Sequence, residues 1–483
     1  MKFDFSQPPP QPETLEEYRK LVEALWEHCQ HQEEKQNTNS ANSSKPPSTD
    51  IAAPPNKKRK RRQKKGNSNR KIGAQPGHEG KAREPLSSEQ VDSTVVCLPP
   101  KVCKCGCEIV SKPASFKRHQ VFELPQIKPI VTEYQQVFGM CSGCGNHYFG
   151  DLPSGVPNIM LGPRAIATVG TLSGEYRMSK RLKVKLFSDF FSIPLSVGTI
   201  SKAEKTVSAA LEKPVDEAHE YVKTQDSVHC DETSHKRKGG KMWVWVGIAA
   251  LVAVFMIRTK RDTLSAQALL GENFHGIVIS DRYSAYNWLE ITRRQLCWAH
   301  LLRDFTKISE RSGKPGQIGE QLLACSKRLF RLWHMTRDGV LSRPQFSKST
   351  EPIIALTEQL LEQGAACDES KTANTCKKLL KQKAALWTFI EVEGVEPTNN
   401  LAEQTIRFYV MWRKLSYGTQ SECGDRFVER VLTTTATCRL QERDSLEYMT
   451  AAVSAYLKGE AAPSLLPGSN EDCAGLTPAS LAA

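Results

Sequence analysis

The chain has 483 residues, 39% of them hydrophobic, which is too long for one ordinary core and predicts three or more domains. The net charge of +13 excludes an acidic protein, but ten of its positive residues lie in segment 57–71, which has no acidic residue. No apolar signal sequence is visible at the start, and the odd number of cysteines, fifteen, favours a reduced, cytoplasmic protein.

Apolar residues recur at helical spacing near the N-terminus. Leu15, Tyr18, Leu21 and Leu25 lie on one face of a helix, which predicts an amphipathic helix within segment 1–35. Such a face could pair with a second helix, but three turns do not establish a coiled coil.

Segment 36–85 is rich in Asn, Ser, Pro, Lys and Arg and has too little apolar surface to fold, so we predict a disordered basic linker. A like-charge run of this kind either binds nucleic acid or only keeps a linker solvated, and we favour nucleic acid. The residues that we expect to contact DNA phosphates here are Lys57, Lys58, Arg59, Lys60, Arg61, Arg62, Lys64 and Lys65.

Segment 86–156 contains two cysteine-glycine knuckles, a pattern that brings four thiolates to one tetrahedral zinc ion. The second knuckle has the usual Cys-x2-Cys spacing, whereas the first is contracted, and buried thiols without a metal are the alternative. We predict a structural Zn²⁺ in a zinc-binding module. Its expected ligands are Cys103, Cys105, Cys141 and Cys144, with Cys107 as a replacement in the first knuckle.

Segment 157–222 has a helical pattern throughout. A break at Ile193 and Pro194 separates two predicted helices, and Ser196 is a suitable N-cap for the second. This is the outline of a helix-turn-helix that contacts DNA, although many helical hairpins bind nothing.

Strands follow. The pattern predicts a strand that ends on Asp231, then a hairpin within 242–257, a helix over 262–270 and a short strand that leads into Asp281. The sixteen uncharged residues 242–257 are too few for a membrane span of roughly 20 residues, so we expect no membrane partner.

A three-stranded meander, a helix and a strand parallel to the first form the opening of a ribonuclease-H-like fold. In that topology Asp231 and Asp281 face each other, and two carboxylates at close range repel unless a cation such as Mg²⁺ lies between them. Asp281 could instead cap a helix, because Asp after a strand is a common N-cap.

A third carboxylate is expected from a later helix. Asn399 or Asn400 caps a predicted helix that has Glu403 in its first turn and Arg407 one turn further on the same face. Glu is also favoured there by the helix dipole alone.

The chain resembles the insertion sequence 66 family of bacterial transposases. The resemblance covers nearly the whole chain and depends on an ordered set of motifs: SSKPPSTD, QPGHEG, the two cysteine knuckles, DET at Asp231, SDRYSAYN at Asp281, CWAHLLRDF, NNLAEQTIR at Glu403 and RKLSYGT. It implies a multidomain α/β protein with a ribonuclease-H-like catalytic core over 223–430, a helical insertion at about 301–395 and a C-terminal helix and tail over 431–483.

The resemblance also implies a DDE-type transposase. Asp231, Asp281 and Glu403 would hold two Mg²⁺ or Mn²⁺ ions for DNA cleavage and strand transfer, with Arg407 and Lys414 at the phosphates. The expected partners are double-stranded DNA, further copies of the chain on DNA and accessory proteins of the same element.

Two other functions stay open: a nuclease that cuts without joining, and a DNA-binding regulator that needs no carboxylates. For the Cys-x2-His pair Cys297 and His300 we expect a packing role.

Overall fold

The computed structural model describes residues 14–37, 84–112 and 116–468. Within these ranges the protein is mixed α/β, with fourteen α-helices and two β-sheets. The chain divides into a unit of residues 52–128 and a larger unit of residues 1–51 and 129–483. The basic segment 57–71 lies outside the described residues.

The predicted N-terminal helix is present as α1, Leu15–Asn37. Its apolar side chains are exposed, including those of Leu15, Val22 and Trp26.

The two cysteine knuckles fall in different units. Residues 103–107 form a tight turn in the smaller unit, where the Gly106 amide donates to the Cys103 carbonyl over 2.9 Å. Cys141 and Cys144 lie in the larger unit, in the loop of an antiparallel hairpin of β1, Phe138–Met140, and β2, His147–Phe149.

Segment 157–222, whose pattern predicts helices, contains four of them, two more than the pair predicted around the break at Ile193 and Pro194. Ser192 adopts a left-handed φ of 54° where α3 ends, and the Ser196 hydroxyl accepts from the Thr199 amide to cap the next helix. Lys183 is buried between these helices and donates to Ser173 and Glu204. The helices are α2 Pro163–Gly174, α3 Lys180–Phe191, α4 Val197–Ala210 and α5 Glu212–Lys223.

The main sheet has five strands in the order β5-β4-β3-β6-β7, in which β3, β4 and β5 are antiparallel neighbours and β6 lies parallel to both β3 and β7. The predicted meander, hairpin and parallel strand are all confirmed, and α6, Thr263–Leu270, connects β5 to β6. The strands are β3 Ser227–Arg237, β4 Gly240–Ala249, β5 Val252–Arg258, β6 Ile277–Ser280 and β7 Arg294–Leu296.

One strand boundary differs from the prediction. We expected β3 to end on Asp231, but Asp231 pairs with Val246 and the strand continues to Arg237. The polar residues after Asp231 stay in the strand because they find partners, as when the buried His235 bonds to Tyr409 and Asp425.

Five helices follow β7 and enclose a second hydrophobic core, which contains Trp298, Phe305, Phe346 and Phe389. They occupy the stretch where the sequence predicts a helical insertion. They are α7 Trp298–Ser309, α8 Lys314–Arg337, α9 Arg343–Ala365, α10 Ser370–Leu380 and α11 Ala384–Glu391.

The last three helices return to the main sheet. They are α12 Asn400–Ser416, α13 Glu422–Leu440 and α14 Ser445–Lys458. Along the edge strand β5, the amides of Ala253, Phe255 and Ile257 donate to side chains of α13. Among the described residues, no helix is long and apolar enough to cross a membrane.

Candidate active site

Asp231 lies on the face of β3 that is covered by α12. Alternate residues of a strand share a face, and two others on the face of Asp231, His229 and His235, bond to α12 or to its N-cap residue. His229 Nδ1 is 3.1 Å from Asn399 Oδ1, and His235 Nδ1 is 2.6 Å from the Tyr409 hydroxyl. The half-buried Asp231 therefore faces the first turns of α12.

Asp281 follows the end of the neighbouring parallel strand. His229 of β3 pairs with Ile279 of β6. Asp231 and Asp281 each come two residues after this pair, so they are at the same level along the two parallel segments. The Asp281 carboxylate accepts a hydrogen bond over 2.8 Å from the Tyr283 amide. Asp281 does not cap an α-helix. The element that follows is a 3-10 turn, Ser284–Tyr286, and the N-cap residue of that turn is Tyr283.

Glu403 lies in the first turn of α12, as predicted. Asn399 occupies the N-cap position, but its side chain does not cap the helix. Instead its amide group bonds to His229 and donates to the Cys230 carbonyl over 2.7 Å. The buried Asn399 thus attaches the start of α12, and Glu403 with it, to β3 beside Asp231.

Electrostatics indicate that the three predicted carboxylates lie together; we call Asp231, Asp281 and Glu403 the carboxylate cluster. Burial raises the pKa of Asp231 well above its usual value, and the negative charges of Glu232, Asp281 and Glu403 raise it further. Such repulsion is relieved when a cation binds among the carboxylates, and oxygen ligands suit Mg²⁺ and Mn²⁺.

Sequence reasoning missed Glu232. This residue is buried, and it accepts hydrogen bonds from Arg261 Nε over 2.9 Å and from the Tyr286 hydroxyl over 3.0 Å. Burial raises its pKa, and so does the charge of Asp281. The sequence signal was a second acidic residue directly after Asp231. Successive strand residues face opposite sides, so Glu232 lies on the other face of β3. Tyr286 is buried in the core and donates its hydroxyl hydrogen to Glu232.

Cys297 and His300, expected only to pack, lie beside the carboxylate cluster. Ligand atoms of Cys297, His300 and Glu403 all lie within 4.8 Å of one another. Arg303 also approaches Glu403, at 3.7 Å from Oε2. The sequence signal was the position of the Cys-x2-His pair, directly after β7 and at the start of α7.

Of the remaining predicted residues, some are described by the structure and others lie outside the described ranges. Arg407 and Lys414 are exposed on α12. Hydrogen bonds from the backbone and thiol of Cys107 and from the thiol of Cys103 lower the pKa of Cys105, and contacts with Cys144 and Gly143 do the same for Cys141. Lowered thiol pKa values favour the thiolate form that binds metal. Lys57 to Lys65 are not among the described residues.

Two families match this chain. Residues 160–426, more than half of the chain, match the Transposase IS66 family. Residues 7–84 match a family of unknown function, DUF6444.

Two curated relatives come from Sinorhizobium fredii, and both are named as uncharacterized proteins. Protein y4qI is 27% identical over 274 residues, which are 50% of this chain and 49% of y4qI, so the chain aligns with about half of that relative. Protein y4hP is 23% identical over 407 residues, 75% of this chain and 72% of y4hP. The match over residues 160–426 includes Asp231, Asp281 and Glu403, and the chain belongs to the Transposase IS66 family.

Proposed function

We propose that this protein is a DDE-type DNA transposase that binds the ends of an insertion sequence and catalyses metal-dependent strand cleavage and strand transfer. The observation that carries the proposal is the carboxylate cluster, in which side chains from β3, the end of β6 and α12 repel one another. The strand order of the main sheet supports a ribonuclease-H-like core for residues 223–430.

The carboxylate cluster fits two divalent ions, Mg²⁺ or Mn²⁺. Its ligands are hard oxygen atoms. The pKa of Asp231 is raised by burial first and then by the negative charges of Glu232, Asp281 and Glu403. When bound, the two ions activate the attacking oxygen and stabilise the leaving oxygen of a DNA phosphodiester.

The chain's own residues position the carboxylate cluster and bind DNA. Asn399 fixes the start of α12 against β3, so that Glu403 and Asp231 keep their relative position. Arg407, four residues after Glu403 on the same side of α12, and Lys414 offer positive charge to DNA phosphates, and the predicted basic linker adds more.

The two knuckles support a structural role for zinc. Each presents one cysteine with a lowered pKa, Cys105 in the first and Cys141 in the second, on a tight turn that contains a glycine of positive φ, Gly106 or Gly145. We keep as a proposal that zinc binds Cys103 and Cys105 in the first knuckle, with Cys107 as the alternative, and Cys141 and Cys144 in the second. Partners would be double-stranded DNA, further copies of the chain and accessory proteins of the element.

The direct test is incubation of the full-length protein with labelled element ends, target DNA and Mg²⁺. A transposase nicks the ends and joins the freed 3′-hydroxyl to the target, and chelation of the metal abolishes both products. Cleavage without joining would favour the nuclease alternative. If a cleavage-deficient Asp231→Ala variant retained full biological function, the DNA-binding regulator would be favoured instead.

A further inference from the structure

Three side chains of different chemistry meet where α7 begins. Cys297 precedes α7, His300 lies in its first turn and Glu403 reaches them from α12. Their ligand atoms lie within 4.8 Å of one another, and His300 Nδ1 is 3.5 Å from Glu403 Oε1. Two ligands of a tetrahedral zinc ion are separated by about 3.3 Å, given metal–ligand bonds of about 2.0 Å.

The sulfur of Cys297 receives backbone N–H groups from two segments. The Asn399 amide donates to Sγ over 3.1 Å, and the amides of Ala299 and His300 at the start of α7 also bond to the thiol. Burial raises the pKa of this thiol to about 11, and the amides oppose that rise. Their contacts hold the sulfur in place beside His300 and Glu403.

Two of the three candidate ligand atoms lack a hydrogen bond. His300 Nδ1 and Glu403 Oε1 are buried, and within the described residues neither has a hydrogen-bond partner. Leaving a buried polar atom unpaired is energetically costly, so native proteins rarely do it without a reason. A metal ion that binds both atoms supplies such a reason.

We propose that Cys297, His300 and Glu403 bind a divalent transition-metal ion of the Zn²⁺ type, with a fourth position open to solvent or substrate. Thiolate and imidazole ligands select such an ion over Mg²⁺, which prefers oxygen. This mixed-ligand site is distinct from the cysteine knuckles. It deepens the proposed function, on which it rests for the role of Glu403: an ion held by Oε1 fixes that side chain and leaves Oε2, which lies 3.7 Å from Arg303, for the proposed Mg²⁺ or Mn²⁺.

Cobalt titration of the full-length, metal-free protein tests the site, because Co²⁺ bound to a thiolate gives a charge-transfer absorption that Co²⁺ bound to carboxylates lacks. We expect Cys297→Ser to lose one equivalent of Co²⁺ and part of that absorption, with the knuckle cysteines intact in every variant. The matched control is Cys325→Ser, a buried cysteine of α8 outside the site, which should leave both quantities unchanged.

His300→Ala provides an independent variant, since this side chain is partly exposed at 19% and its removal disturbs packing less. It should lose the same equivalent of Co²⁺, whereas His334→Ala, an exposed histidine of α8, should not. If Cys297→Ser and His300→Ala both retain the wild-type cobalt stoichiometry and absorption, the mixed-ligand site does not exist. The titration does not measure DNA cleavage, so unchanged cobalt binding would leave the proposed function intact. If the protein binds cobalt at this site but does not cleave DNA, only the proposed function is contradicted.

Discussion

Two helices that pack on the main sheet, α12 and α13, differ in whether their buried polar side chains find hydrogen-bond partners in the fold. On α13, Thr433 and Thr437 accept from the amides of Phe255 and Ala253, so the acceptors close the free edge of β5. On α12, the buried Oε1 of Glu403 lacks a hydrogen bond among the described residues. The α13 contacts supply hydrogen-bond acceptors to the edge of the sheet. The Glu403 acceptor on α12 has no such partner, and an unsatisfied buried group is typical of a binding site.

The largest effect is expected at the carboxylate cluster. Asp231→Asn keeps the shape of the side chain but removes a charged oxygen ligand, so cleavage of element ends should fall by several orders of magnitude, since a metal supplies several kcal/mol to the transition state. The assay is single-turnover cleavage in Mg²⁺, with DNA affinity measured in parallel. Asp262→Asn is the matched control, because Asp262 caps α6 and Asn caps equally well.

The attachment of α12 to β3 comes next. Asn399→Ala leaves the Cys230 carbonyl and His229 Nδ1 without their partner, so we expect unfolding to become easier by about 2–4 kcal/mol. Cleavage should fall as well, because Glu403 loses its fixed position. Asn400→Ala, at the exposed neighbour, should change neither quantity by a comparable amount. Equal effects from both substitutions would mean that Asn399 acts only through helix propensity.

The edge of β5 should respond in stability but not in chemistry. Thr433→Val removes the acceptor for the Phe255 amide and should cost about 1–3 kcal/mol in denaturant unfolding. The buried Thr434 bonds only to the Arg430 carbonyl of its own helix, so Thr434→Val should cost less. Loss of cleavage by folded Thr433→Val protein would contradict the separation of the two helices.

Glu429 makes the α13 attachment sensitive to pH. Burial raises the pKa of Glu429 to about 7 from 4.5, so the folded state holds its proton more tightly than the unfolded state does. Its stabilising contribution is therefore complete below about pH 4.5 and is lost as the pH rises through about 7. Glu429→Gln keeps the acceptor for Ile257, and we expect it to unfold less readily at pH 8 by about 1–3 kcal/mol. Thermal melts should show this gain shrinking towards pH 5, and a gain independent of pH would contradict the shifted pKa.

The sequence predicted elements better than their boundaries and partners. Hydrophobic alternation and apolar runs identified β4, β5 and β6, because burial alone determines those patterns. The end of β3 was wrong because His235 is a polar strand residue whose partner, Asp425, is distant in sequence. Pairings across such separations leave no local signal.

Asp281 and Glu403 could be proposed from the sequence because each has a position with a local meaning, directly after a strand and in the first turn of a helix. Asp231 was proposed from a strand end that lies further on, at Arg237. The role of Asn399 could not be predicted, because an N-cap residue and a residue that bonds to a distant strand look the same in sequence. Cys297 and His300 appeared as packing residues because their contact with Glu403 spans about a hundred positions. Glu232 was overlooked beside its more obvious neighbour.

Metal-dependent thermal stability tests the central claim most directly, because it asks whether Asp231, Asp281 and Glu403 share a cation and requires no knowledge of the DNA ends. Melting temperatures would be recorded with and without Mg²⁺ or Mn²⁺ for the wild type, Asp281→Asn and the Asp262→Asn control. An ion that binds only the folded state raises its melting temperature. We predict that the metal stabilises the wild type and the control, and that Asp281→Asn melts higher than the wild type without metal, because one repelling charge is gone, yet no longer responds to metal. An undiminished metal response in Asp281→Asn would contradict the account.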